Sequence, residues 1–196
     1  MTLFNRRGLL LAGSSVALLG APSVLRAQNR TLADTLAADP RFSSLLDLMT
    51  RGGALNDLRQ AAPMTLFAPV NAAFEGAPAG QLNIMRGQSG GGGGGGAATP
   101  DREGISTLVR NHLVPGNHLA AEFRGGDRML TTMNGSTLKV EGGRTPVLVS
   151  NSKPALQPGG QAVAGLNVAS VPAEIVQADI LASNGVIHAV SQFLWS

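Results

Sequence analysis

Three histidines, His112, His118 and His188, are the side chains of this sequence best suited to metal binding or general acid–base chemistry, and there is no cysteine to join them. A metal site wants three or four ligands within reach, and these three are widely spaced along the chain. His188 stands in "DILASNGVIHAV" (179–190), on the returning side of an Asn-Gly pair that signals a β-hairpin. A metal ligand, a catalytic base and a core residue with a satisfied ring are its three possible roles. Asp179 is placed to orient it across that hairpin, but the pattern offers no activated nucleophile. Two nucleophile motifs fail on context. Gly87-Gln88-Ser89-Gly90-Gly91 fits G-x-S-x-G, yet a nucleophile elbow needs a strand before the serine and a helix after it, and here a glycine run follows. Ser150-Asn151-Ser152-Lys153 fits S-x-x-K, yet its serine ends a strand and Pro154 follows, where a helix should open. The run Gly90 to Gly96 satisfies G-x-G-x-x-G trivially, without the preceding strand that a nucleotide site needs. These patterns imply no catalysis, no cofactor and no metal. The histidines read as packing residues that hydrogen-bond a neighbour.

The elements that must position them follow from periodicity. Thr31 can cap a first helical segment, and Asp39-Pro40 supplies a second start. Phe42, Leu45, Leu46 and Met49 then fall at i, i+3, i+4 and i+7, one apolar helix face stopped by Gly52-Gly53. "MTLFA" (64–68) reads as a short strand closed by Pro69, with Asn71 placed to cap the next short helix, continued through "QLNIM" (81–85). Residues 87–104, "GQSGGGGGGGAATPDREG", form a flexible polar insertion without apolar periodicity. Ile105, Leu108, Val109 and His112 give a second helix face, ended by "VPG" (114–116). Strands follow: a hairpin turning at Asn134-Gly135, strands at 146–150 and 166–171, and the hairpin turning at Asn184-Gly185. Helices first and strands later, without βα alternation, is the signature of an α+β domain.

The chain has 196 residues, room for one domain plus extras. Residues 1–27 have the layout of a bacterial export signal: Arg6-Arg7, an uncharged apolar stretch from Gly8 to Leu25, then "LRA" before a cut expected near Ala27. The paired arginines and the Gly- and Ser-diluted apolar stretch favour the twin-arginine route. An uncleaved anchor is the alternative, against which its Gly, Ser and Pro content argues. That segment holds Arg6, Arg7 and Arg26, three of the 15 basic residues, and none of the 12 acidic ones, so residues 28–196 are formally neutral. No basic patch is left for nucleic acid. The expectation is one exported domain over 28–196, periplasmic or secreted, with no stable membrane anchor once the signal is cut.

Three segments resemble the fasciclin domain, in order and over roughly Thr31 to Leu194. "TLFAPVNAAF" (65–74) is similar to the family's first signature, "LVRNHLVPG" (108–116) to its central stretch, and "ADILASNGVIHAVSQFL" (178–194) to its second signature. The resemblance implies a β-wedge or partial sandwich packed with several helices, the helices mainly in the N-terminal half and the β-hairpins in the C-terminal half. It also implies a binding module for adhesion or matrix contact, not an enzyme, with a protein or an envelope or matrix glycan as partner. In animal members integrin contact has been placed on a Tyr-His pair and an Asp-Ile pair; the matching positions here are Asn111-His112 and Asp179-Ile180. His112, Asp179 and Ile180 are therefore the candidate binding residues. Asn111 departs from the family's tyrosine. Asn71, His112, Asn184, Gly185 and His188 are expected to be structural members of the signatures, the two histidines pairing with polar groups such as Asn71. A carrier of a small apolar ligand, held between helices and wedge, is the second reading.

Overall fold

The computed structural model describes residues 30–60, 62–77, 102–152 and 172–195. The export segment, the run of glycines with its G-x-S-x-G match, the helical continuation at 81–85 and the strand expected at 166–171 lie outside them, as does Lys153 of the S-x-x-K match.

The N-terminal half is helical for the reasons its sequence gives. Helix α1 (Leu32–Ala38) starts from Thr31, whose hydroxyl accepts from the Asp34 N–H while Asp34 reaches back to the Thr31 N–H. Asp39 caps a 3₁₀ turn, Pro40–Phe42, that leads into α2 (Ser43–Gly52). The buried face of α2 is Leu45, Leu48 and Met49; Leu46, expected inside, is only partly buried because the turn brings Leu48 onto the core side. A second 3₁₀ segment, Ala54–Arg59, precedes strand β1 (Met64–Pro69) and helix α3 (Asn71–Glu75). Helix α4 (Arg102–Asn111) takes in the last three residues of the stretch expected to be loop, and Glu103 sits in its first turn, where a negative charge suits the helix dipole. It ends sooner than "VPG" implied. Leu113–Pro115 is instead strand β2, antiparallel to β1.

After a short helix α5 (Ala120–Phe123) the chain is β: β3 (Asp127–Thr131), β4 (Thr137–Glu141), β5 (Leu148–Asn151), β6 (Ala173–Ala182) and β7 (Gly185–Val190). The strands form one mixed sheet in the order β2-β1-β7-β6-β5-β4-β3, antiparallel throughout except where β1 runs parallel to β7. Every residue of β1 and of β7 is buried. One face of this pair, with Leu66, Ala68, Ile187 and Ala189, packs against α1, α2 and α4. The other, with Phe67 and Val190, packs against Leu138, Val140 and Val149 of the β3–β5 half and against Phe123. Burial on both faces explains the unbroken apolar run "VIHAV". The fold is the expected α+β wedge, with helices first and hairpins last.

Candidate functional site

Two of the chemistry-bearing residues, Asp179 and His188, meet where β6 pairs with β7. Strand β6 is not regular: its pairing with β7 slips twice, between Ile175 and Gln177 and again between Gln177 and Ile180. These are β-bulges, which re-aim side chains. Asp179 lies in the second and takes φ 57°, the one non-glycine residue at positive φ among the described residues. Its own N–H donates to His188 Nδ1 at 3.3 Å, and its carboxylate accepts the Ala120 N–H at 2.8 Å, the first amide of α5. Asp179 is exposed, while Ile180, next to it, packs against the helical core.

His188 is 0% exposed. Its ring stacks on Phe67 at 5.5 Å and meets Phe123 edge-on at 5.9 Å. Nε2–H donates to the His118 carbonyl at 2.8 Å and Nδ1 accepts from Asp179. That pattern requires the neutral Nε2–H tautomer. Burial pushes the His188 ring below its ordinary value, opposed by the bond to the His118 carbonyl and by the Asp179 charge.

His112 is built the same way on the helical side. It is 2% exposed, donates from Nδ1 to the Leu108 carbonyl at 2.8 Å and accepts the Leu194 N–H on Nε2 at 2.9 Å. Burial takes it down to about 4. Phe193 lies edge-on to it at 5.7 Å. Asn111, beside it, is also buried, and its Oδ1 accepts from Asn134 Nδ2 at 2.9 Å and Ser136 Oγ at 3.3 Å. The residue that departs from the family's tyrosine therefore holds the β3–β4 turn.

The other signature residues join distant segments. Asn184 Oδ1 accepts the Leu32 N–H at 2.8 Å, and Nδ2 donates to the carbonyls of Leu58 at 2.8 Å and Gln60 at 2.9 Å. One side chain thus caps α1 and closes the second 3₁₀ segment. A Cβ on Gly185 would run into the Met64 carbonyl, so the glycine is there to let β1 approach. Asn71 corrects an expectation. It caps neither its own helix nor a histidine: Oδ1 accepts the Ser44 N–H of α2 at 3.1 Å and Nδ2 donates to the Pro40 carbonyl at 3.0 Å. The histidines pair with backbone groups instead.

His112 and Asp179 are thus separate features, one buried at the end of α4 and one exposed on the β6 bulge. The sequence reading missed Thr65, whose hydroxyl donates to the Gly116 carbonyl and accepts the His118 N–H, fixing the chain that leads to α5. It also missed the apolar side chains left outside around the bulge: Val176 and Leu181, 51% and 53% exposed, on β6, and Leu119, 39% exposed, next to the amide that Asp179 caps. The placement of Val176 and Leu181 goes with the irregular pairing of β6, and a bulge has no clear sequence mark in "EIVQADIL". Chemically, no Ser or Thr hydroxyl among the described residues hydrogen-bonds a histidine ring, and no group of three or more His, Cys, Asp or Glu there could hold a metal ion. No helix among them is long and apolar enough to cross a membrane.

Comparison with known proteins agrees with this geometry. The fasciclin domain family model matches residues 40–196. Protein sll1483 of Synechocystis is 26% identical over 164 residues, which cover 84% of this chain and 72% of that protein. Human periostin is 24% identical over 88% of the chain, and pig transforming growth factor-beta-induced protein ig-h3 is 26% identical over 84% of it. The chain spans only 17% and 19% of the length of those two animal proteins. The solved FAS1 domain pair from the insect cell adhesion molecule Fasciclin I superposes with a TM-score of 0.61 at 12% identity, over 85% of this chain and 51% of that one. The chain belongs to the fasciclin domain family.

Proposed function

We propose that this chain is an exported, non-catalytic binding module of the adhesion type, with a protein or an envelope or matrix glycan as its partner in the periplasm or outside the cell. One observation carries the reading. The groups that could do chemistry, the rings of His112 and His188 and the carboxylate of Asp179, are spent on backbone hydrogen bonds, while apolar side chains around the β6 bulge face outward. A scaffold that uses its polar residues internally and leaves Leu119, Val176 and Leu181 outside suits recognition better than turnover. Kinship with a domain pair from a cell adhesion molecule supports the same reading. In it the exposed face of the bulge at Asp179 meets the partner and Ile180 anchors that bulge on the helical core, while His112 lies apart and braces the end of α4 against Leu194.

Binding of the purified chain to immobilised envelope fractions and to a glycan array tests this. The reading expects saturable retention that Leu181→Ser weakens at least several-fold without moving the melting temperature. Retention unchanged by Leu181→Ser and by Val176→Ser would overturn the placement of the surface. Turnover of a substrate would overturn the non-catalytic reading.

A further inference from the structure

Residues 118–123, the approach to α5 and the helix itself, are fastened to the β6 bulge by three bonds that close on one another. His188 Nε2–H donates to the His118 carbonyl at 2.8 Å, the Asp179 N–H donates to His188 Nδ1 at 3.3 Å, and the Ala120 N–H donates to the Asp179 carboxylate at 2.8 Å. We propose that this is an acid-released clasp, in which protonation of His188 frees residues 118–123 from the bulge.

The argument is one of donors and acceptors. A ring that donates at one nitrogen and accepts at the other fits only as the neutral imidazole. A proton on Nδ1 sets two donors facing each other, Nδ1–H and the Asp179 N–H, at a ring that is 0% exposed. The groups around the ring decide how it relaxes. From β1 it meets Phe67 and from α5 Phe123, both apolar. The titratable groups near it are Asp179 on β6 and His118 ahead of α5, whose own ring lies 3.1 Å from Glu122. Asp179 is thus the nearby anion, and its carboxylate is occupied by Ala120. An imidazolium either repels the Asp179 amide or draws the Asp179 carboxylate away from Ala120. Both responses undo the same clasp. Asp179 already holds φ 57°, a left-handed conformation that a non-glycine residue adopts at a cost, so the bulge is poised to relax once its amide loses the ring.

His112 shows why the release is local. Its ring is bonded equally fully, to the Leu108 carbonyl and the Leu194 amide, but no acid among the described residues draws a proton toward it, and it stays neutral down to about pH 4. Thr65 holds the Gly116 carbonyl and the His118 amide through a hydroxyl that does not titrate, and so serves as the hinge. Beyond it, opening frees the ring of Phe123, 1% exposed in the closed form, from the cluster it shares with Phe67 and Val140. The inference needs no partner and stands or falls apart from the binding reading.

Amide hydrogen exchange of the full chain between pH 7 and 5, corrected for the intrinsic rate, tests it. If only the opened state takes up the proton on His188, protection of Ala120 to Phe123 falls about tenfold per pH unit below about 6.5, while β3–β4 amides are unaffected. His188→Gln, which keeps a donor and an acceptor but does not titrate, is expected to flatten that dependence. Protection that is independent of pH in the parent, or equally dependent on it in His188→Gln, overturns the proposal. Should His188→Gln fail to fold, NMR of the parent decides. The clasp requires the Ala120 and Asp179 amide shifts to titrate with the His188 ring, and amide shifts that ignore the ring's titration overturn it.

Discussion

The hairpins β3–β4 and β6–β7 both carry Asn-Gly, and the two pairs do different work. In β3–β4 the pair is the turn: Gly135 takes φ 78°, its N–H donates to the Thr132 carbonyl at 2.9 Å, and nothing lies within 4 Å of where a Cβ would stand. In β6–β7 the loop is Ser183-Asn184, since Ala182 already pairs with Gly185. Neither loop residue has positive φ, and Gly185 is a strand residue pressed against β1. Asn134 makes its link to a neighbouring element, Asn111 at the end of α4, whereas Asn184 reaches segments more than 120 residues away in sequence. The same dipeptide is local punctuation in one hairpin and a junction of the whole domain in the other.

Substitutions can break this contrast. Gly185→Ala should be the most damaging, at least about 3 kcal/mol, because overpacking against a strand backbone cannot be relieved by a rotamer change. Gly135→Ala should cost about 1–2 kcal/mol, the strain of a left-handed alanine in open space. Urea unfolding of the two measures the gap, and equal losses would erase the distinction. Next comes Asn184→Ala, at about 2–3 kcal/mol for three backbone groups left without their partner, against about 1 kcal/mol or less for Asn134→Ala.

The histidines sharpen the contrast through pH. Both are depressed by burial, so between the folded value and about 6.5 the unfolded chain binds the extra protons. Their stabilising contribution is therefore complete above about pH 6.5 and is lost as pH falls toward the folded value. For His112, with its folded value about 4, the expected slope reaches about 1.4 kcal/mol per pH unit across that window. His112→Gln should flatten it in urea titrations between pH 7 and 4; an unchanged slope would contradict a neutral buried ring. The smallest effect belongs to the β3–β4 surface. Lys139 bridges Asp127 and Glu141 at 2.9 and 3.0 Å on the solvent side of β3–β4, and Lys139→Met should leave the urea unfolding midpoint close to that of the parent.

Much of this architecture is legible along the chain because its causes are local. Thr31 with Asp34, Asp39 with Pro40, the spacing of Ile105, Leu108 and Val109, and the Asn134-Gly135 turn rest on contacts a few residues apart, and the strands on either side of Asn184-Gly185 pair locally even though Asn184 itself does not. What periodicity could not deliver is non-local. The parallel pairing of Met64–Pro69 with Gly185–Val190 joins opposite ends of the domain, and three-residue β2 is too short to show a period. Asn71 sits where it should cap α3, yet its partners, Ser44 and Pro40, lie about thirty residues earlier. At the candidate site, "DILASNGVIHAV" marks His188 as a packing residue, but the positive φ of Asp179 and its bond to α5 arise from two bulges that strand alternation does not announce.

The central claim is that the final signature holds the domain together by joining distant segments, and one pair of variants addresses it most directly. Urea unfolding of Asn184→Ala and Asn134→Ala at pH 7 should show Asn184→Ala the less stable by at least about 1 kcal/mol, with unchanged denaturant slopes. Equal stabilities would mean that Asn184 is turn chemistry alone and that the junction described here does not hold the fold.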